Sequence, residues 1–126
     1  MTSIIFKKIV VSISTLTSLL GISKSSFFEL ITCKKAKKLI SSKKDLIILD
    51  IRTPEEYEEG HIEDSVLIDF YDALFTKRLN VLDKNKTYLI YCRSGHRSAL
   101  ALSAIKDLGF KKVYDLNGGF NEWNDS

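Results

Sequence analysis

The chain has 126 residues, 44% of them hydrophobic and 28% charged, which is the composition of one globular domain large enough to bury its own core. Three of its 19 basic residues precede Glu29, where there is no acidic residue, and the other 16 balance the 16 acidic residues. Because the net charge of +3 comes from the N-terminal segment alone, the folded part lacks the basic excess of a nucleic-acid-binding protein.

The first 25 residues have the pattern of a secretory signal peptide. Lys7 and Lys8 precede an apolar stretch at 9–22, and a serine-rich segment at 23–26 follows it. The stretch is shorter than the about 20 apolar residues of a membrane span, and its serines and threonines suit a permanent span poorly. We therefore predict that residues 1–25 are removed on export to the periplasm, which leaves no membrane attachment. An uncleaved helix that anchors the protein to the membrane is the alternative.

From residue 27 onward, strand-like and helix-like segments alternate. Residues 27–31 form a predicted strand, and Thr32 is placed to cap the helix that follows it. One apolar face of this helix gathers Cys33, Ala36, Leu39 and Ile40. The lysines between them fall on the opposite face, which we expect to be solvated. Residues 46–49 are an apolar run ending at Asp50, as in a strand buried on both sides.

A short helix is predicted over 53–60. Thr53 is its cap, Pro54 occupies the first helical position, and Glu56 completes a capping box. This segment contains four glutamates, which could suggest a pair of catalytic carboxylates. They are Glu55, Glu56, Glu58 and Glu59. We assign them instead to the helix dipole, which favours acidic residues in a first helical turn.

The rest of the chain continues the alternation. The predicted strands are 65–69, 87–91 and 112–116, and the predicted helices are 73–82, 98–108 and 118–123. Gly109 is placed to end the second of these helices in the left-handed conformation. Strands separated by helices return parallel, so the sequence predicts an open α/β sheet covered on both faces. Ligands bind such sheets at the carboxyl ends of the strands, where Asp50 and Cys92 lie.

The cysteines and histidines do not form a metal-binding pattern. The sequence has no C-x-x-C motif, and His61 and His96 are isolated, so no metal site is expected. In an exported protein, Cys33 and Cys92 would form a disulfide only if folding brought them close together.

The segment YCRSGHRSA at 91–99 places Cys92 at the start of a loop between a buried strand and a helix. Backbone N–H groups at a helix N-terminus have few partners, and the helix dipole is positive there, so a thiolate anion is stabilised. Gly95 permits a tight turn, and Arg97 could direct its guanidinium at a bound oxyanion. Each residue alone is also explained by a buried structural cysteine beside solvated arginines. Their combination favours a reactive thiol.

Two long segments resemble the rhodanese-like domain family. They are LDIRTPEEYEEGHIEDSVLID at 49–69 and YCRSGHRSALALSAIKDLGFKKVYDLNGGFNEW at 91–123, and with the preceding elements the resemblance covers residues 27–124. The motifs that carry it are D-x-R-x-P-E-E-Y-x-x-G-H-I, C-x-x-G-x-R-S and G-G-F/Y-x-x-W. The resemblance implies an α/β domain with an open parallel five-stranded sheet and helices on both faces. The chain departs from the family at 63–65, where Glu-Asp-Ser replaces a Pro-Gly-Ala-like turn.

The resemblance also implies the chemistry of the site. Cys92 would be the nucleophile that takes a sulfur atom from a donor such as thiosulfate and holds it as a persulfide, without a cofactor. A thiol, cyanide or a protein would then accept the sulfur. The substrate-binding cradle implied by the family, acting chiefly through main-chain N–H groups, is Arg93, Ser94, Gly95, His96 and Arg97. Structural roles are implied for the other matching positions, Asp50 and Arg52 beneath the loop, His61, Gly118, Gly119 and the core residue Trp123.

Two other functions are weighed against sulfur transfer. Phosphatases of the same fold separate their cysteine and arginine by five residues, whereas four separate Cys92 from Arg97 and the sixth position is Ser98. A loop of this length suits a sulfur atom better than a phosphate, which disfavours a phosphatase. A persulfide or thiol carrier with little turnover, or a redox partner, would use the same cysteine, and the sequence does not separate it from an enzyme.

Overall fold

The computed structural model describes residues 26–126, which form five strands and five helices in alternation. The predicted signal peptide or anchor at 1–25 lies outside these residues, so its cleavage and the export of the protein stay predictions. Among residues 26–126, no helix is both long enough and apolar enough to cross a membrane.

The strands form one parallel sheet. They are β1 (Phe27–Ile31), β2 (Ile47–Asp50), β3 (Val66–Leu67), β4 (Thr87–Tyr91) and β5 (Lys112–Leu116). Their order is β1-β5-β4-β2-β3, which puts β4 at the centre, and the pairings within this sheet are parallel. The carboxyl ends of the strands therefore meet at one edge. The predicted open five-stranded parallel sheet is confirmed.

Helices cover both faces of the sheet, as predicted. They are α1 (Cys33–Ser42), α2 (Pro54–Glu59), α3 (Phe75–Asn80), α4 (His96–Asp107) and α5 (Gly119–Asp125). On one face, α3 and α4 enclose the first cluster, whose buried residues are Leu49, Ile51, Ile68, Phe75, Leu79, Tyr88, Ile90, Cys92, Ala101, Ile105, Phe110 and Val113. On the other, α1 and α5 cover the second cluster, formed by Ile31, Ala36, Ile48, Ile62, Leu89, Tyr91, Tyr114 and Leu116.

Three helix ends have the predicted caps. The Thr32 hydroxyl accepts a hydrogen bond from the N–H of Lys35 and begins α1. At α2, the Thr53 hydroxyl accepts from the N–H of Glu56 while the Glu56 carboxylate accepts from the N–H of Thr53, which completes the capping box. Gly109 follows α4 with φ of 91°, in the left-handed region. These ends were predictable because each depends on residues close in sequence.

The third strand is shorter than predicted. The sequence predicts a strand over 65–69, whereas only Val66 and Leu67 pair with β2. The side chain of Ser65 instead hydrogen-bonds to the hydroxyl of Tyr91, which holds the chain before the strand. Since β3 is an edge strand, its short length leaves little exposed backbone for pairing with another chain.

Two helices differ from their predicted limits. The helix predicted over 73–82 is α3, which is shorter because Asp72 holds the preceding turn through a hydrogen bond from the N–H of Leu74 to its carboxylate. The helix predicted over 98–108 begins two residues earlier, at His96, because the left-handed Gly95 serves as its cap.

Candidate active site

Cys92 follows β4 directly, at the carboxyl edge of the central strand, as the sequence predicts. A short loop separates it from α4, and in this loop Gly95 has φ of 103°. Glycine is favoured at this angle because it has no Cβ to clash with the backbone. The turn at Gly95 lets the first residues of α4 return to the sulfur atom of Cys92.

The sulfur atom of Cys92 is held by backbone donors. Sγ accepts hydrogen bonds from the N–H of Gly95 at 3.1 Å and from the N–H of Ser98 at 3.4 Å. The thiol in turn donates to the hydroxyl oxygen of Ser98 at 3.6 Å. Cys92 is only 1% exposed. Two N–H dipoles that point at a buried sulfur atom stabilise negative charge on it.

The predicted cradle residues occupy different positions around this sulfur atom. Gly95 contacts it through its N–H group. Arg93, Ser94 and His96 are exposed at the mouth of the loop. The part of these three residues in holding a sulfur donor stays a prediction.

The N-terminus of α5 supports the loop from below. The N–H of Phe120 donates to the carbonyl of Cys92 at 2.8 Å, and the N–H of Asn121 donates to the carbonyl of Arg93 at 2.9 Å. Gly119 makes this approach possible, because a Cβ there would lie 2.5 Å from the Cys92 carbonyl oxygen and 2.6 Å from that of Arg93. The glycine pair predicted to be structural thus includes one that fixes the position of the Cys92 backbone.

Arg97 pairs with Glu56 across the site. Its two terminal nitrogens bind the two carboxylate oxygens at 2.8 Å and 2.9 Å, and the side chains are 12% and 16% exposed. The hydrogen bonds from Arg97 lower the pKa of Glu56 to about 2. Because this guanidinium is directed at Glu56, its predicted contact with a bound oxyanion stays a prediction. The pair ties α2 to the first turn of α4.

A second charged pair lies beneath the loop, as predicted. Arg52 binds the carboxylate of Asp50 at 2.7 Å and donates to the carbonyl of Gly60. Its guanidinium stacks over the ring of Phe120 at 4.3 Å, and the hydroxyl of Tyr91 donates to Asp50. Burial and the bond to Asp50 raise the pKa of Tyr91, so its hydroxyl stays protonated as a donor. The network joins β2, β4 and α5.

Asp115 is a buried acidic residue that the sequence did not single out. It lies on β5, is 3% exposed, and has its Oδ1 atom without a hydrogen-bond partner among the residues that the structure describes. Burial raises its pKa to about 6, and a hydrogen bond with Ser98 acts in the opposite direction. The sequence does contain one indication of it, because Asp115 is an acidic residue within the mainly apolar segment KVYDL. No local pattern, however, could predict which residues lie near it in the fold.

The remaining predicted residues are not at this loop. Cys33 and Cys92 are both free thiols, and Cys33 packs against the second cluster on the opposite face. Trp123 packs against that cluster too and is half-buried, and His61 stacks on Tyr57 with ring centroids 3.6 Å apart. Within 26–126, no group of three or more histidines, cysteines or acidic residues is placed to hold a metal ion.

A family model for the rhodanese-like domain matches residues 32–126. The chain belongs to the rhodanese-like family. One relative is the putative sulfur carrier protein YrkF of Bacillus subtilis, 39% identical over 93 residues, which are 74% of this chain and 49% of YrkF. The chain thus spans about half the length of that relative. The thiosulfate sulfurtransferase GlpE of Coxiella burnetii is 36% identical over 81 residues, or 64% of this chain and 74% of GlpE.

Solved structures agree with the rhodanese-like fold. A rhodanese-like domain protein from Staphylococcus aureus superimposes with a TM-score of 0.67 at 30% identity, covering 75% of this chain and 90% of that one. RPA3614 from Rhodopseudomonas palustris, a protein of unknown function described as a possible tyrosine phosphatase, superimposes with a TM-score of 0.64 at 33% identity, covering 78% and 80%. Together with relatives named for sulfur transfer and sulfur carriage, the family supports sulfur transfer as the general chemistry.

Proposed function

We propose that this rhodanese-like domain is a sulfurtransferase in which Cys92 takes a sulfur atom from thiosulfate or a related donor and passes it to a thiophilic acceptor. The observation that carries the proposal is the pair of backbone N–H groups, from Gly95 and Ser98, on the sulfur atom. They stabilise a thiolate before reaction and a persulfide after it. Arg93 and His96 are exposed on the outer side of the loop, where the cation of Arg93 and the hydrogen-bonding ring of His96 could attract an anionic sulfur donor.

In the first half-reaction, the Cys92 thiolate attacks the outer sulfur atom of thiosulfate. A bond forms between the two sulfur atoms, and the bond between the outer sulfur and the sulfonate group breaks. The electron pair of that bond leaves with sulfite, and the negative charge of the thiolate passes to the terminal sulfur of the persulfide. In the proposed cradle, the main-chain N–H groups at 93–97 would hold this charge, together with the N–H of Ser98.

In the second half-reaction, an acceptor removes the terminal sulfur. Cyanide or a thiolate attacks it, the S–S bond breaks, and Cys92 returns as a thiolate, so ping-pong kinetics are expected. A cleft of about 200 Å³, whose lining includes Arg93 and Asn121, lies beside the loop, and we propose it as the path by which an acceptor approaches.

Intact-mass spectrometry tests the proposal. After incubation with thiosulfate and removal of the excess, the protein is expected to gain the mass of one sulfur atom, and Cys92→Ser is expected to abolish the gain. Cys33→Ser is the matched control and should load like the parent, because Cys33 lies on the opposite face. Absence of an adduct and of thiocyanate formation with cyanide would contradict the proposal.

A sulfur carrier with little turnover is the second candidate, and the similarity to YrkF favours it. A carrier would gain one sulfur atom in the mass experiment but would form thiocyanate only in proportion to the protein present. An enzyme would form it continuously. A time course with excess thiosulfate and cyanide therefore separates the two functions.

A phosphatase function is less favoured, although RPA3614 is described as a possible tyrosine phosphatase. Four residues separate Cys92 from Arg97, which leaves a smaller loop than a phosphate group needs. The guanidinium of Arg97 is also bound at both ends by Glu56. Hydrolysis of an aryl phosphate that Cys92→Ser abolishes would reverse this preference.

We also propose that residues 1–25 direct the protein to the periplasm and are then removed. The basic start, the apolar stretch and the serine-rich exit support this proposal. The mass of the protein recovered from its native cells is expected to lack this segment. A full-length protein in the membrane fraction would support the anchor instead.

A further inference from the structure

The guanidinium of Arg97 is held between two side chains. Its two terminal nitrogens bind the two carboxylate oxygens of Glu56 at 2.8 Å and 2.9 Å, and its central carbon lies 5.6 Å from the ring centre of Tyr71. The Arg97 side chain is 12% exposed. Arginine binds carboxylates and oxyanions alike through pairs of parallel N–H donors. Glu56 therefore competes with any bound oxyanion for the end of this side chain.

The carboxylate of Glu56 is fixed in turn by its own helix. Its Oε1 atom accepts hydrogen bonds from the N–H of Thr53 at 3.1 Å and from the Thr53 hydroxyl at 3.2 Å. Hydrogen bonds from Arg97 lower the pKa of Glu56 to about 2, so the carboxylate is charged throughout the neutral range. Because turning away from Arg97 would also break the capping box of α2, the two side chains form a fixed pair with no net charge.

The arginines near the Cys92 loop are not equally available to an anion. Arg52 is paired with Asp50, and Arg97 is paired with Glu56. Arg93 is exposed at the mouth of the loop and forms no ion pair with another of residues 26–126. Of these three cations, only that of Arg93 is left uncompensated in the described part of the chain.

This charge distribution bears on the sulfur donor. Thiosulfate carries two negative charges, whereas a thiosulfonate or a persulfide carries one. One uncompensated cation balances a single charge, and a second charge on the donor would face the carboxylates of Glu56 and Glu59, which line the cleft beside the loop. An unpaired charge that discriminates against a competing ligand is a common source of specificity.

We propose that Glu56 is a specificity-determining residue, which acts through its pair with Arg97 to make the Cys92 site favour sulfur donors with one negative charge over dianionic thiosulfate. This inference rests on the proposed function. With methanethiosulfonate, the Cys92 thiolate attacks the terminal sulfur and a bond forms between the two sulfur atoms. The bond to the sulfonyl sulfur breaks, and its electron pair leaves with methanesulfinate. The step needs no oxidant or reductant and differs from the reaction with thiosulfate by one charge on the donor.

The rate of sulfur loading at different donor concentrations tests the proposal. Loading is followed by intact mass, so slow turnover does not interfere. The parent should reach half of its maximal rate at a lower concentration of methanethiosulfonate than of thiosulfate. Glu56→Gln leaves the cation of Arg97 uncompensated, and should lower the half-maximal thiosulfate concentration about three- to tenfold. The maximal rate, and the value for methanethiosulfonate, should change by less than about twofold.

Two further variants show whether Arg97 is responsible. Glu59→Gln is the matched control, because it removes the same charge from the same cleft while Arg97 keeps its partner. Its effect on the half-maximal thiosulfate concentration should stay below about twofold. Adding Arg97→Gln to Glu56→Gln restores the net charge of the parent, and should return the donor preference to that of the parent.

Three results of these experiments would overturn the proposal. The first is a parent protein that loads from thiosulfate at a lower concentration than from methanethiosulfonate. The second is an equal shift for both donors in Glu56→Gln, or an equal shift in Glu59→Gln. The third is a double variant that keeps the improvement of Glu56→Gln, because the second charge would then be bound without Arg97.

Anion binding without sulfur transfer separates this inference from the proposed function. Sulfate and methanesulfonate differ by one charge, and their binding is read from the amide signals of the loop by nuclear magnetic resonance. Glu56→Gln should bind sulfate about three- to tenfold more tightly than the parent does, with no such gain for methanesulfonate. If it does so while no donor loads Cys92, sulfur transfer fails and the preference for singly charged anions stands.

A measurement on the parent protein covers the case in which Glu56→Gln does not fold. The nitrogen-15 signals of the Arg97 guanidinium should stay unchanged as sulfate is added, because Glu56 holds both terminal nitrogens. Signals that shift with sulfate in the parent would show that Arg97 leaves Glu56 for the anion, which would overturn the proposal.

Discussion

Glu56 and Asp115 lie near the Cys92 loop as two carboxyl groups in opposite environments. The pKa of Glu56 is lowered to about 2, chiefly by hydrogen bonds from Arg97, and that of Asp115 is raised to about 6 by burial. Glu56 is therefore an anion over the whole neutral range, where it pairs with Arg97, and Asp115 titrates closer to neutral pH than a free aspartate. The surroundings of each carboxyl group, and not its residue type, therefore decide whether its pKa is lowered or raised.

At this scale, Glu56→Gln is expected to destabilise the fold at neutral pH, and to do so less at pH 3 than at pH 7. The folded pKa of Glu56 is depressed from 4.5 to about 2, so its contribution is present above pH 4.5 and disappears as the pH falls toward 2. Allowing for solvent screening, we expect a loss of about 1–2 kcal/mol at pH 7. Urea unfolding at pH 7 and pH 3 measures it. The control is Glu59→Gln, exposed on the same helix. An equal loss at both pH values would contradict the assignment.

Asp115→Asn should change stability with the opposite dependence on pH. The folded pKa of Asp115 is raised from 3.8 to about 6, so the parent protein is favoured in acid and loses this advantage as the pH rises through 6. Between pH 5 and pH 8, the parent should lose about 1.4 kcal/mol that the variant does not lose. Urea unfolding of both proteins at the two pH values measures the difference. A constant difference between them would mean that Asp115 does not titrate in the folded state.

Among the elements, α5 and the Cys92 loop act as one unit. Two N–H groups at the start of α5 bind the carbonyls of Cys92 and Arg93, and the approach leaves no room for a side chain at Gly119. In the loop itself, the N–H of Gly95 faces the sulfur atom. The position of Cys92 is therefore set by two helices, by the N–H of Ser98 in α4 and by the N–H of Phe120 in α5.

We expect Gly119→Ala to damage both stability and sulfur loading. The new Cβ would meet backbone oxygens at 2.5 Å and 2.6 Å, which cannot rotate away, and we expect a loss of about 2–4 kcal/mol. Gly109→Ala is the matched control, because it also has positive φ but finds no atom within 4 Å. It should cost about 1–2 kcal/mol and load sulfur at the parent rate. Equal loading by the two variants would show that the contact with α5 does not position the loop.

For the molecule as a whole, β4 is a strand that contributes side chains to both hydrophobic clusters. It is the central strand, its side chains alternate between the first and second clusters, and Cys92 follows its last residue. The site is therefore attached to the part of the sheet that is most enclosed. During unfolding, the core and the Cys92 loop should therefore lose their structure together, in a single cooperative transition.

Leu89→Ala tests this connection. Leu89 is fully buried in the second cluster, and its truncation should cost about 2–5 kcal/mol. Val81→Ala is the control, since Val81 is 84% exposed, and should change stability by less than about 0.5 kcal/mol. Alkylation of Cys92 across a urea titration should follow the same transition as circular dichroism in each protein. Exposure of the thiol well before the loss of secondary structure would show that the loop opens independently.

Local features of this chain were predictable, and features that join distant residues were not. The strands, the Thr53 capping box and the position of Cys92 follow from neighbouring residues. The predicted start of β3 at residue 65 was wrong, because Ser65 hydrogen-bonds to Tyr91, which lies 26 positions away in the sequence. Glu56 was assigned to its helix alone, although it also binds Arg97, 41 positions away. A single sequence has no period or motif that records such pairs.

The burial of Cys92 gives the two states of the thiol different access to the outside. The empty cysteine is 1% exposed, with backbone groups and Ser98 on its inner sides. In the proposed persulfide, the added sulfur atom would lie about 2 Å from Sγ, directed away from the groups that hold Sγ. The atom held for delivery is then nearer to solvent than the atom that holds it. We therefore expect the terminal sulfur of the proposed persulfide to be more accessible to acceptors than the resting thiol is to oxidants and unrelated thiols.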